Sequence, residues 1–214
     1  MTTIASEPKM PKGRKLIFQL AFGGLLGGLA GYFGLGVLDD GAMAADQVIV
    51  SGIGLIYLLM GLIAGFGLLA PKLGANILNV EDADEIRDQR RILTGSAICM
   101  VALGAALMAL PLAGPDSAIS PLTALGGLLA ALVILTVISI RDWKYYDEMM
   151  LQLSRDAGNL AFCGIGATLM IWASAASLGL IAAPTPLALV AIISGGFLMA
   201  IFIASGRRGL LIPR

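Results

Sequence analysis

Residues 118–140 read AISPLTALGGLLAALVILTVISI, and Arg141-Asp142-Trp143-Lys144 follows at once. The stretch holds 23 residues and no charge. As a helix rising about 1.5 Å per residue it spans the ~30 Å hydrocarbon core of a bilayer. Basic and aromatic residues at its end are the signature of a helix stopping at a cytoplasmic headgroup layer.

Five similar stretches lie around it. The spacing predicts spans at about 16–38, 48–70, 92–113, 118–140, 158–180 and 184–205. The chain of 214 residues is 58% hydrophobic and 13% charged, with a mean hydropathy of +0.91. A soluble domain carries about a quarter charged residues and needs them for solvation. The expected domain organisation is a basic cytoplasmic segment 1–15, a membrane domain 16–205 and a basic tail 206–214.

Charge sets the expected orientation. The connection Asp39–Gln47 carries Asp39, Asp40 and Asp46 and no base, the third connection carries Asp116, and the fifth is uncharged. Lys72, Arg87, Arg90 and Arg91 fall in the second connection, Arg141, Lys144 and Arg155 in the fourth, and Arg207, Arg208 and Arg214 in the tail. With Lys9, Lys12, Arg14 and Lys15, all 14 bases fall on one side of a six-span reading, together with 10 of the 14 acids. Basic residues near span ends are retained in the cytoplasm. The expectation is an all-α integral membrane protein with both termini cytoplasmic, most simply in a bacterial inner membrane. The run from Leu16 to Leu38 is too long for a cleaved signal and ends in Asp39-Asp40, so it reads as a retained helix.

The short outward connections predict three helical hairpins, 1–2, 3–4 and 5–6. The inward ones read as two short amphipathic helices. In Asn79–Arg91, Asn79 is the expected N-cap, and Asp84 with Arg87 and Asp88 with Arg91 are i,i+3 pairs. In Asp142–Asp156, Trp143, Tyr146, Met150 and Leu153 recur at spacings of three and four and form an expected interfacial anchor. The two segments align at an offset of 63, with Gly95 opposite Gly158 and, after a one-residue gap, Gly104 opposite Gly166. That predicts a parallel repeat of hairpins rather than the inverted kind found in many transporters.

The first span carries Gly23, Gly27 and Gly31 four apart, with Gly24 and Gly28 beside them, and the second carries Gly61 and Gly65. Glycines at this spacing let another helix backbone approach closely, so these residues are expected to serve helix packing or partner contact.

No span interior holds Asp, Glu, Lys, Arg or His. Proton-coupled carriers and pumps place an ionisable group at membrane depth. The absence of histidine removes His-ligated haem, HExxH zinc sites and a Ser–His dyad. Cys99 and Cys163 are far apart and read as packing residues. Glu81, Asp82, Asp84, Glu85 and Asp88 are interleaved with Arg residues and read as a solvated helix face. A phosphate loop is absent. Zero net charge gives no case for nucleic acid. Prolines 71, 111, 115, 121, 184 and 186 fall at span ends or turns, so unbroken helices are expected.

No catalytic, cofactor-binding or metal-ligating residue is assigned and no cofactor is expected. The expected partners are membrane lipid and a membrane protein partner or a second copy. The leading functional expectation is a non-enzymatic accessory or structural subunit of a membrane complex. The alternative is a transporter or channel for a small neutral solute, lined by some of Gln19, Ser51, Thr168 and Ser174.

Overall fold

The computed structural model describes residues 43–70, 89–115 and 117–210. Five long helices fill them: α1 (Ala45–Leu69), α2 (Arg90–Leu112), α3 (Pro121–Asp142), α4 (Glu148–Ser177) and α5 (Pro186–Arg207). Each is long and apolar enough to cross a membrane. Among the described residues the only β pairing is an isolated bridge between Ala113 and Ile119. This is the architecture of a helical membrane protein. Five of the six expected spans fall on these helices. The sixth, 16–38, lies outside the described residues, as does the expected helix Asn79–Arg91 apart from its last three residues.

Local chemistry sets the helix ends. α3 and α5 begin with the same device: Ser120 and Thr185 accept hydrogen bonds from Thr123 N and Ala188 N, and Pro121 and Pro186 occupy the first turn. A proline there loses no helical hydrogen bond, since the first N–H groups have no partner in the helix. The expected starts at 118 and 184 therefore move to 121 and 186. At the other end of α4 and α5, Gly179 and Gly209 adopt φ of 72° and 71°. Leu180 N then reaches Ala175 O, and Leu210 N reaches Ser205 O. Both helices thus end in Schellman motifs, where glycine tolerates the left-handed turn.

The expected short helix over Asp142–Asp156 is corrected. α3 runs to Asp142, a 3₁₀ turn covers Trp143–Tyr145, and Glu148 begins α4, which continues unbroken for 30 residues. The reason is Asp147, whose carboxylate accepts from Met150 N at 2.6 Å and starts the helix afresh. Nothing between Ser154 and Gly158 stops it, because one glycine weakens a helix without ending it. Trp143 and Tyr146 therefore lie before α4, with ring centroids 6.4 Å apart, while Met150 and Leu153 lie on it.

α1 packs against α2 and α5, α3 against α2, and α4 against α5. The 3–4 and 5–6 hairpins are thus present as α2/α3 and α4/α5. The closest backbone approach, however, is between α1 and α2. A Cβ on Gly54 would lie 2.9 Å from Gly104 O, and one on Gly104 would lie 2.5 Å from Leu58 N. A Cβ on Gly61 would meet Val101 N at 2.8 Å. Only residues without side chains at these points let the two backbones touch. Val50, Tyr57 and Leu107 form the core between α1 and α2, and Leu187 and Val190 of α5 pack against it.

The helices alternate in direction, so all seven described bases gather at one end: Arg90, Arg91, Arg141, Lys144, Arg155, Arg207 and Arg208. Asp46 lies at the other end, where it accepts a hydrogen bond from Thr185.

Candidate functional site

The densest polar cluster lies at the basic end of α2 and α3. The Asp142 side chain is 2% exposed, while those of Arg91 and Arg141 are about half exposed, at 47% and 50%. Arg141 Nε donates to Asp142 Oδ1 at 2.9 Å and its Nη2 to Oδ2 at 3.2 Å, and Arg91 Nε donates to Oδ1 at 3.3 Å. Arg91 Nη1 also donates to the Tyr145 hydroxyl at 2.8 Å, and the guanidinium lies 4.1 Å from that ring's centroid. Gly95 makes room for the acid: a Cβ there would come within 2.6 Å of Asp142 Oδ2. Burial, with a contribution from the Asp142 charge, pushes the neighbouring Tyr146 phenol above its usual range.

Chemically this is a latch. A carboxylate held by two guanidiniums is committed to them as an acceptor. It ties the start of α2 to the end of α3 and to the turn that follows. Sequence reading misses it, pairing Arg91 with Asp88 (outside the described residues) and placing Asp142 at the start of the expected short helix Asp142–Asp156. The available signal was Arg91 with Gly95 one turn later, on the same side as Arg141-Asp142.

Three further ties hold the other helices. Tyr57 Oη donates to Ser194 O at 3.0 Å, joining α1 to α5. Thr185 Oγ1 donates to Asp46 Oδ2, joining the starts of α5 and α1. Trp172 Nε1 donates to Ala182 O at 2.9 Å, fastening α4 to the segment leading into α5.

Of the glycines singled out in the sequence, Gly61 faces α2, and Gly65 has nothing within 4 Å. Gly23, Gly24, Gly27, Gly28 and Gly31 lie outside the described residues. The proposed repeat pairs differ in surroundings. Gly95 and Gly104 meet neighbours, whereas Gly158 and Gly166 face open space. Cys99 is half-buried and Cys163 exposed, on different helices. Among the described residues no three His, Cys, Asp or Glu side chains come together.

A cavity of about 380 Å³ lies at the basic end of the α4/α5 pair, lined in part by Asp156, Asn159, Cys163 and Arg208. A smaller one of about 220 Å³ borders Arg91, Tyr145 and Asp147. Both lie at the basic end rather than midway along the helices.

Helix length, apolarity and the charged ends define the class: a multi-pass helical membrane protein. No protein-family model, curated protein or solved structure matches this chain.

Proposed function

We propose that the chain is a non-enzymatic accessory or structural subunit of a larger membrane complex, with its basic end in the cytoplasm of a bacterial inner membrane. The observation that carries this reading is where the helices' polar side chains go. Thr136, Thr168 and Ser194 donate to carbonyls one turn back in their own helices, and Tyr57 closes a helix–helix contact. Ser51 is on α1, whereas Thr168 and Ser174 are on α4, and α5 packs against both helices. A solute pathway needs polar groups converging on one cavity at membrane depth.

α3 supplies the surface for a partner. It buries Ala124, Ala131 and Asp142 and leaves most of its other residues exposed, including Leu122, Leu129, Val133 and Val137. Gly126 and Gly127 on this helix have nothing within 4 Å, so another helix could approach its backbone.

The solute-transporter alternative is tested by flux. Purified protein in liposomes should pass glycerol and urea no faster than protein-free liposomes. Saturable flux that Thr168→Val or Ser174→Ala abolishes would replace the subunit reading with a transport one.

A further inference from the structure

α4 and α5 differ in length, and the difference sets the depth of the larger cavity. α5 has 22 residues and rises about 33 Å, close to the ~30 Å thickness of the hydrocarbon core. α4 has 30 residues and rises about 45 Å. The Trp172–Ala182 bond ties α4 to the segment entering α5 at the non-basic end, so the surplus of α4 lies at the basic end. There Arg208, the C-cap of α5, pairs with Asp156 and donates to Gln152 at 3.5 Å. The first turns of α4 thus run past the end of α5. The groove beside Asp156 and Arg208 lies where hydrocarbon gives way to headgroups.

The cavity of about 380 Å³ is that groove. Leu160 and Ala204 supply its apolar lining, and Asn159, Arg207 and Arg208 its donors. Arg207 is exposed, and its side chain has no ion pair or hydrogen bond among the described residues. Asn159 is exposed too. Its Oδ1 accepts from the Cys163 thiol at 3.7 Å, while its amide N–H groups have no acceptor among the described residues. The lining holds one carboxylate, Asp156, and Arg208 pairs with it. One positive charge is left over, beside an amide with donors to spare. Arg155, one turn before Asn159 on α4, adds a guanidinium that also has no partner among the described residues.

Unmatched donors with an excess of positive charge suit an anion rich in oxygens. A guanidinium meets a phosphate through two parallel hydrogen bonds. The headgroup layer supplies phosphates at this depth, and basic pockets between membrane helices bind anionic headgroups. The surface beyond the cavity points to a lipid rather than a free ion. Met170 lies on the Cys163 side of α4, and Ile201 and Phe197 lie on the Ala204 side of α5, at helical spacings of three, four and seven. All three are exposed and apolar, so acyl chains can lie along them. We propose that this groove holds one anionic phospholipid, its phosphate on Arg207 and Asn159 and its acyl chains along Met170, Ile201 and Phe197. This goes beyond the subunit reading and does not depend on it.

Native mass spectrometry tests the site on the full chain, delipidated in detergent and titrated with dioleoyl phosphatidylglycerol or dioleoyl phosphatidylcholine. Phosphatidylglycerol should bind at lower concentration than phosphatidylcholine. Arg207→Gln should weaken its binding by about fivefold or more, the worth of one base at an anionic surface. Asn159→Leu keeps the bulk of the side chain and should weaken binding as well, which covers the case that the first variant fails to fold. Arg90→Gln removes an exposed base at the same end, on α2, and should leave binding unchanged. Absence of a bound lipid would overturn the proposal. Equal binding of the two lipids, or an equal loss at Arg90→Gln, would also overturn it and leave only a general attraction of the basic end. Displacement of the lipid by millimolar inorganic phosphate would overturn it too, by assigning the donors to a free ion.

Discussion

The Asp142 carboxylate occupies the space that a side chain at position 95 would fill: a Cβ on Gly95 would lie 2.6 Å from Asp142 Oδ2. Glycine in α2 and the acid closing α3 are thus one structural unit, and Arg91, one turn before Gly95, completes it. Gly95→Val should lower stability by about 1–3 kcal/mol, the usual cost of overpacking. Asp142→Ala should also lower it, by leaving two arginines without their acceptor. The double variant should lose less than the sum, since both changes break the same contact. Thermal unfolding in detergent reads all three, and full additivity would argue against the shared unit.

Glycine positions should split by sign. Gly104→Ala pushes a Cβ to within 2.5 Å of the α1 backbone and should cost about 1–3 kcal/mol. Gly65→Ala and Gly126→Ala meet nothing within 4 Å. They should leave stability unchanged or raise it by up to about 1 kcal/mol through helix propensity. Equal effects at the two kinds of site would contradict the α1/α2 packing.

Tyr57→Phe removes the hydroxyl bonded to Ser194 O while keeping the ring. Interhelical hydrogen bonds in membranes are worth about 0.6 kcal/mol on average, with a maximum near 1.7. A loss within that range is expected in a refolding titration from mixed micelles.

Thr185 accepts from Ala188 N as the cap of α5 and donates to Asp46. Thr185→Val should cost about 0.5–2 kcal/mol, the range for losing a cap. Thr185→Ser should restore most of it, because its hydroxyl can make both bonds. Failure of serine to rescue would show that the methyl group, rather than the two hydrogen bonds, carries the effect.

The sequence announces helices more clearly than neighbours. Length and apolarity place α1 to α5 within a few residues, except for the start of α4. That boundary is hidden because the Trp143–Leu153 periodicity continues across the turn and masks Asp147 as the cap of α4. Lipid-facing and helix-facing residues are equally apolar, so periodicity could not show that α1 lies between α2 and α5. Gly54 and Gly104, which set the closest approach, look in the sequence like Gly65, which touches nothing. The latch at Asp142 is hidden for another reason: Arg91 lies 51 positions before Asp142, and nothing local pairs the two.

The proposed role as a subunit of a membrane complex has a direct test. Isolation from native membranes in a gentle detergent is followed by native mass and subunit composition. A stoichiometric larger partner is expected, lost when bulky residues replace Gly126 and Gly127 on α3 while the chain stays folded. A chain that emerges alone, or only as copies of itself, would contradict it.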